Sequence, residues 1–472
     1  MSRRVVITGL GFCTPVGRST EEVWRNLLAG CSGIGRITLF DASQLPVQIG
    51  GQVKDFDPSA LARQFPEANG EPDRKVWLGL EAASEAITDA GLADAASREP
   101  ALVEAGFQPA SEGGILPPGW EAGLTGSQGW LPPRFTAPMR DAGVVLALRE
   151  ALLHVGVSLE VFFIEQVAPV ALAENMALAL AQRLLQDGMT GRLQTPLDRL
   201  TWVIADHYGL QGGCYTNCSA CAAGAQAIGE AFRRVREGAT NLAIAGATDS
   251  ALNPLGLGGF SLLRILSTEN DQPTRACRPF DATRQGTVLS EGAAFVVMET
   301  LERARQRGAR VYAEVLGYGS SLDAYRVTDP EPGGRGAALS MTKAIRDAGL
   351  RPEDIDCVNV HGTGTPKNDI AETLAIKQVL GRRAREIPIT ANKSMTGHMI
   401  ATSGAFEAAV SVLTLHDGKV PPTINLEHPD PLCDLDYVPA GWRPFAGRTV
   451  LSNSFGFGGQ NATLILGKAP GA

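Results

Sequence analysis

The 472-residue chain has no apolar run of about 18 residues, so no transmembrane helix is expected. Its start, Met1-Ser2-Arg3-Arg4, passes straight into a strand-like run without the apolar core of a secretory leader, which points to a cytoplasmic protein. Positive charge is short: 42 Lys and Arg face 50 Asp and Glu, a formal −8. That balance argues against nucleic-acid binding in bulk and leaves room for a local basic patch. Eight cysteines are too sparse for a disulfide scaffold in a chain this long, so reduced thiols are expected. Histidine is scarcer still, at six, which gives weight to any two that share a setting. Gly9, Gly11 and Gly17 do not make G-x-G-x-x-G, so a dinucleotide site has no support. No close internal sequence repeat is visible.

What is present describes a packed globular chain, with 44% hydrophobic and 19% charged residues. The length allows about three domains of ~150 residues or one large duplicated unit. Strand and helix patterns alternate, which favours an α/β fold. In the first half, Arg4–Gly11 reads as a buried strand, Ser19-Thr20-Glu21-Glu22 caps a helix to about Leu28, and Val76–Ala90 is a helix stopped by Gly91. Residues 95–150, rich in proline and glycine, read as an irregular insertion, with Ala147–Leu153 a short helical stretch at its end. A strand over Val155–Phe163 and a helix over Ala168–Gln186 follow. Trp202-Val203-Ile204-Ala205 and Tyr215-Thr216 look like β-prone residues leading into a helix over Ala222–Arg236. Strands then fall at Asn241–Gly246, Ala293–Met298, Val311–Leu316, Ile355–Val360, Ile387–Ala391, Thr449–Asn453 and Ala462–Leu466. Helices fall at Thr300–Arg307, Ala337–Ala348, Ile370–Leu380 and Met399–His416. The order of elements suggests two halves.

The stretch Thr216-Asn217-Cys218-Ser219-Ala220-Cys221-Ala222-Ala223-Gly224 ends on a cysteine at a helix start, where free backbone N–H groups converge. In such a place a thiol pKa of about 8.5 can fall to roughly 3.5–7.5, making Cys221 a candidate nucleophile. Packing is the bland alternative. A sharper one is that Cys214, Cys218 and Cys221 (C-x3-C-x2-C) hold an iron–sulfur cluster. His361, in Val360-His361-Gly362-Thr363-Gly364-Thr365, and His398, in Lys393-Ser394-Met395-Thr396-Gly397-His398, both end strand–loop units in the second half. Either alone reads as a satisfied structural histidine. Together with a thiol they suggest thioester chemistry, with imidazole N–H groups stabilising an enolate oxygen. Lys393 is a base or, preferably, a charge paired with Glu372 or Glu407. Ser454-Phe455-Gly456-Phe457-Gly458-Gly459 is a tight connection or a gate.

These motifs, with Val6-Ile7-Thr8-Gly9-Leu10-Gly11, Arg278-Pro279-Phe280-Asp281 and Glu291-Gly292-Ala293, make the chain resemble the β-ketoacyl-[acyl-carrier-protein] synthases, including the ketosynthases of type II polyketide assembly. The resemblance covers about the first 90 residues and nearly everything after 205. It implies a thiolase-like fold of two pseudo-duplicated halves in α/β/α/β/α layers, 1–308 with the nucleophile and 309–472 with the histidines. It also implies an acyltransferase needing no cofactor or metal of its own, since the phosphopantetheine arm arrives on the carrier protein. In that pattern Cys221 takes the acyl group, His361 and His398 assist decarboxylation of a malonyl-type extender, and Lys393, Glu407 and Glu372 support them. The N–H groups of Cys221 and Phe457 match the oxyanion hole, and Phe455, Gly456 and Phe457 the gate. Thr363 and Thr365 match pantetheine contacts. Arg264, Arg74 and Lys75 match docking sites for an acidic acyl carrier protein. The protein is expected as a homodimer, or a heterodimer with a ketosynthase-like subunit. Retained Cys221 speaks against a chain-length-factor subunit, His398 against a Cys-His-Asn ketosynthase, and the tail against a thiolase; a non-condensing partner subunit stays the alternative.

The pattern breaks before residue 205. Glu160, Phe162, Phe163 and Trp202 stand where the family carries glycine-rich or Gly-His sequence, and are expected to reshape the acyl pocket for a short, branched or unusual starter.

Overall fold

Nine consecutive buried residues make β1 (Val5–Cys13) a strand covered on both faces, which is why it reads as an apolar run without alternation. The computed structural model describes residues 3–93 and 197–471. Ser19 caps α1 (Thr20–Leu28), its hydroxyl accepting the Glu22 N–H. β2 (Ile34–Arg36) and β3 (Ile49–Gly51) form a small antiparallel ribbon, followed by α2 (Ser59–Gln64). α3 (Arg74–Asp89), capped by Asp73, packs its buried face on β1. Next come α4 (Arg199–His207) and α5 (Ala223–Glu237), the latter closed by Gly238 in the left-handed conformation. β4 (Leu242–Ser250), α6 (Pro254–Leu262), β5 (Glu291–Thr300) and α7 (Leu301–Gln306) complete the first run.

The second run opens with β6 (Ala313–Leu322), α8 (Arg335–Asp347), β7 (Cys357–Asn359) and α9 (Pro366–Leu380). β8 (Ile389–Thr390), the one-turn α10 (Lys393–Thr396) and α11 (Ala401–Asp417) follow. A two-residue ladder of β9 (Lys419–Val420) and β10 (Arg443–Pro444) precedes the closing hairpin, β11 (Thr449–Gly456) and β12 (Gln460–Lys468).

Eight strands hydrogen-bond in the order β4-β5-β1-β6-β12-β11-β7-β8. The order holds the duplication: β1 pairs antiparallel with β5 and β5 with β4, as β6 pairs with β12 and β12 with β11. In both runs the first strand lies beside the last, and the last beside the one before it. A short antiparallel contact of Val5–Ile7 with Ala313–Val315 joins the two sets. α5 and α11 lie against each other; α5 packs on β4, β5 and β12, and α11 on β4, β5, β11 and β12. This central position explains why α11 is apolar nearly all round.

Most sequence expectations are met within a few residues, with one reversal. Trp202-Val203-Ile204-Ala205 is the middle of α4, and Cys214 and Cys218 lie in exposed, irregular chain, so no strand leads into Cys221. A four-residue apolar run carries no period, and here the neighbours Leu200, Val203 and Ile204 are buried at helical spacing. The insertion at 95–150, the Val155–Phe163 strand and the Ala168–Gln186 helix lie outside the described residues.

Candidate active site

Cys221 sits in the 3-10 turn Ala220–Ala222, immediately before α5. Ala220 holds φ +49°, a left-handed conformation that costs an L-residue energy and turns the chain sharply under the sulfur. Side chains clamp the turn. Asn217 Nδ2 donates to Ala223 O at 3.2 Å, and Ser219 Oγ meets Asn217 Oδ1 at 3.0 Å and Gln226 Oε1 more closely. The glycine loop approaches from above, where a Cβ on Gly456 would fall 3.0 Å from the Cys221 nitrogen, so only glycine fits without displacement.

Burial pushes the Cys221 thiol up to about 11, against the Lys393 ammonium and the Phe457 N–H, which pull it down. The thiolate expected at a helix start is thus corrected to a neutral thiol at rest, because desolvation outweighs the favourable dipoles. Its partner is at hand: His398 Nε2 lies 3.1 Å from Cys221 Sγ. His398 follows α10 and is held by backbone, its N–H to Val288 O (2.7 Å) and its carbonyl from the Ser290 N–H (2.9 Å). Its Nδ1 meets Ser403 Oγ at 3.1 Å. A hydroxyl can give or take, so Ser403 supports either tautomer.

His361 stands 5.3 Å from His398 between ring centroids, in an edge arrangement. Burial drives both imidazoles well below the usual histidine value, with the Lys393 charge adding to the effect, so both are neutral. Lys393 is buried and donates to His361 O (2.6 Å), to His361 Nδ1 (3.2 Å) and to Glu407 Oε1. An ammonium has only protons to give, so Nδ1 accepts and His361 carries its proton on Nε2. Glu407 is the partner of Lys393, and Glu372 is not. Glu372 instead accepts the N–H groups of His361 (2.8 Å) and Gly362 (2.9 Å) and the Asn453 amide (3.2 Å), fixing the histidine's backbone. Burial raises Glu372 to about 7 and pushes Glu407 up as well, the latter against the pull of the Lys393 ammonium bound to it.

Cys221, His361 and His398 face one cavity of about 410 Å3. Thr363 and Thr365 line it with their hydroxyls 2.8 Å apart, and Phe455, Gly456 and Phe457 border it. The Phe457 ring stacks on Phe260 of α6 at 6.4 Å. Arg264 lies exposed on the cavity wall with no ion pair among the described residues. Arg74 does not join it: its guanidinium is bound to the buried Glu291 carboxylate at 2.9 Å, and Lys75 pairs with Asp73 at 2.7 Å. Trp202 is likewise elsewhere, 61% exposed on α4 with its N–H on Asp198, and it does not line this cavity. Glu160, Phe162 and Phe163 lie outside the described residues. Among the described residues no group of three or more His, Cys, Asp or Glu is placed to hold a metal ion, and Cys214 and Cys218 are exposed while Cys221 is buried. Ser403 and Phe260 were not expected. The hydroxyl five residues after His398, at the start of a helix, was the available signal for the first; the second sits in an α6 that has no amphipathic period to read.

A duplicated strand order around two central helices, with a cysteine at the start of one of them, defines a thiolase-like α/β protein. The chain belongs to the β-ketoacyl synthase family: the N-terminal domain model matches residues 2–113 and 199–304, and the C-terminal domain model 312–427. It is 40% identical over 99% of its length to the 3-oxoacyl-[acyl-carrier-protein] synthase 2 of Coxiella burnetii, covering 99% of that protein, and equally identical to the Synechocystis protein of the same name, covering 98%. Among solved structures it is similar to a type II polyketide ketosynthase in complex with its acyl-carrier protein and bound to the hexaketide (28% identity, TM-score 0.74). It is similar in the same degree to a β-ketoacyl synthase from Burkholderia phymatum; both likenesses cover 99% of this chain and all of the other.

Proposed function

We propose that the protein joins an acyl group held on Cys221 to a malonyl-type extender on acyl carrier protein, releasing carbon dioxide and a β-ketoacyl-carrier protein. The observation that carries this reading is the 3.1 Å contact of His398 Nε2 with Cys221 Sγ beside a second neutral imidazole. Cys221 Sγ attacks the incoming thioester and its proton passes to His398 Nε2, with Nδ1–H satisfied on Ser403. The oxyanion is taken by the N–H groups of Cys221 and Phe457, and the departing pantetheine thiolate recovers the proton. His398 then shifts to its Nε2–H tautomer, with the Ser403 hydroxyl turned to donate to Nδ1, and the malonyl thioester oxygen accepts from His361 Nε2–H and His398 Nε2–H. Its C–CO2 bond breaks, the electron pair forms an enolate, and that carbon attacks the acyl-Cys221 carbonyl. Collapse frees the Cys221 thiolate, which takes one proton from solvent, the proton that the overall condensation consumes.

Lys393, Glu407 and Glu372 orient His361, Thr363 and Thr365 receive the phosphopantetheine arm, and Phe455–Phe457 gate the cavity. The chain needs no cofactor, because the arm arrives on the carrier protein. Arg264 receives the acidic carrier protein. Residues 1–308 and 309–472 act as two halves of one site, in a cytoplasmic homodimer or a pair with a ketosynthase-like subunit.

The test is intact-mass detection of acyl groups on the protein after incubation with a panel of acyl-carrier proteins. Mass is expected on the wild type and lost in Cys221→Ala. A wild-type protein that takes no acyl group would favour a non-condensing partner subunit instead.

A further inference from the structure

Every polar side chain that the mechanism uses in the cavity already has a partner: Thr363 with Thr365, His361 with Lys393, His398 with Ser403. Thr287 does not. It lines the same cavity, is 2% exposed, and its hydroxyl has no hydrogen-bond partner among the described residues. Its neighbours on the cavity wall, Ile265, Leu266 and Leu289, are apolar. The backbone of Thr287 is already committed, its N–H to Ile265 O (2.8 Å) and its carbonyl to the Ser267 N–H (2.7 Å), so only the side chain is free to act. A buried hydroxyl without a partner is costly, and it gains strongly from a ligand that supplies one.

The position selects the ligand. The following residue, Val288, accepts the His398 N–H, and on the other side a Cβ on Gly364 would fall 3.3 Å from the Gly286 carbonyl. Thr287 therefore lies between His398 and the Thr363–Thr365 turn, on the side where the extender's arm enters. An extender held by its thioester oxygen between the two imidazoles carries a carboxylate one carbon further on. Turning between staggered χ1 positions is the motion by which the buried hydroxyl would present itself to that carboxylate.

We infer that the Thr287 hydroxyl binds the carboxylate of the malonyl-type extender, an inference that rests on the condensation proposed above. The charge it holds is lost in the step: the C–CO2 bond breaks, its electron pair moves to the enolate oxygen under His361 and His398, and carbon dioxide leaves neutral. The hydroxyl keeps its own proton throughout. The hydrogen bond is thus stronger before the transition state than in it, and it serves binding and specificity while adding nothing to the rate of the bond-breaking step.

The experiment measures kcat and KM for decarboxylation of malonyl-carrier protein by the wild type, the isosteric Thr287→Val and the hydroxyl-retaining Thr287→Ser, alongside the rate of acyl transfer to Cys221. Thr287→Val is expected to raise KM for malonyl-carrier protein about tenfold with kcat unchanged or higher, and Thr287→Ser to keep KM within about twofold of wild type. A wild-type KM in Thr287→Val overturns the inference. So does an equal rise in Thr287→Ser, which would make the effect one of packing, or a loss confined to acyl transfer, which would assign the hydroxyl to the acyl chain. A wild-type protein inactive on malonyl-carrier protein removes the condensation reading itself, and that result is distinguished by needing no variant.

Discussion

At the scale of single residues, the site is a set of buried groups whose charges are decided by what surrounds them. Cys221, His361 and His398, singled out in the sequence by residue type and by their places before a helix and in small-residue loops, line one cavity. Their protonation was not legible there, because it depends on desolvation by segments distant in the chain. Burial holds His361 and His398 well below their usual value, so the folded state resists their protonation. The sign follows: the stability linked to them is present above the ordinary histidine pKa of about 6.5 and is lost as pH falls through the lowered value. Decarboxylation should therefore show no inflection near pH 6.5, and a pH–rate profile checks this. Alkylation of Cys221 by iodoacetamide should rise about tenfold per pH unit between about 7 and 10, because the thiol ionises only near 11. Mass spectrometry of Cys221 against exposed Cys31 in the same sample reads the difference. The Lys393–Glu407 pair is fully buried, and truncating Glu407 to Ala leaves a cation with no carboxylate. A loss of about 3–5 kcal/mol in urea unfolding is expected. Choosing Glu407 over Glu372 as the lysine's partner needed the fold, since both stand on helices within reach by sequence.

At the scale of elements, the site depends on how closely α5 and α11 approach. α5 starts just after Cys221, and α11 carries Ser403 and Glu407. Gly224 makes the contact possible: a Cβ there would fall 2.6 Å from Ala401 O and 2.7 Å from the Ala405 nitrogen, both backbone atoms that cannot move alone. Gly224→Ala should force the helices apart at the end where Cys221 meets His398. Overpacking of this kind costs about 1–3 kcal/mol, so a lower urea midpoint and slower acyl loading of Cys221 are expected together. Most helices and strands were readable from apolar period and from end signals, Ser19 and Gly91 among them. α4 was not, because Trp202–Ala205 is too short to show a period and its helical character comes from packing on α3. The one-turn α10 was also hidden, since four residues closing on Gly397 carry no periodic signal.

At the scale of the whole molecule, the order of strands and helices announced two halves, but not how they join. The pairing of β1 with β5 and of β6 with β12 links the first and last strands of each run, a long-range relation that no local pattern encodes. The same distance between local pattern and global property governs partner recognition. A protein of formal charge −8 repels an acidic carrier protein on average, so attraction must come from a few cations near the cavity. Of the three basic residues singled out from sequence, Arg74 and Lys75 are neutralised by Glu291 and Asp73, and Arg264 alone lies on the cavity wall without an ion pair among the described residues. Arg264→Glu should accordingly raise KM for carrier-bound acyl groups by about tenfold or more at low salt, with the penalty shrinking as ionic strength screens the charge. The same variant should act on a small pantetheine thioester about as well as the wild type does. Equal losses on both substrates would mean that Arg264 shapes the cavity and does not dock the partner. A salt-independent loss would say the same, because a charge that steers an acidic protein must feel the Debye length, while one that holds a wall in place need not.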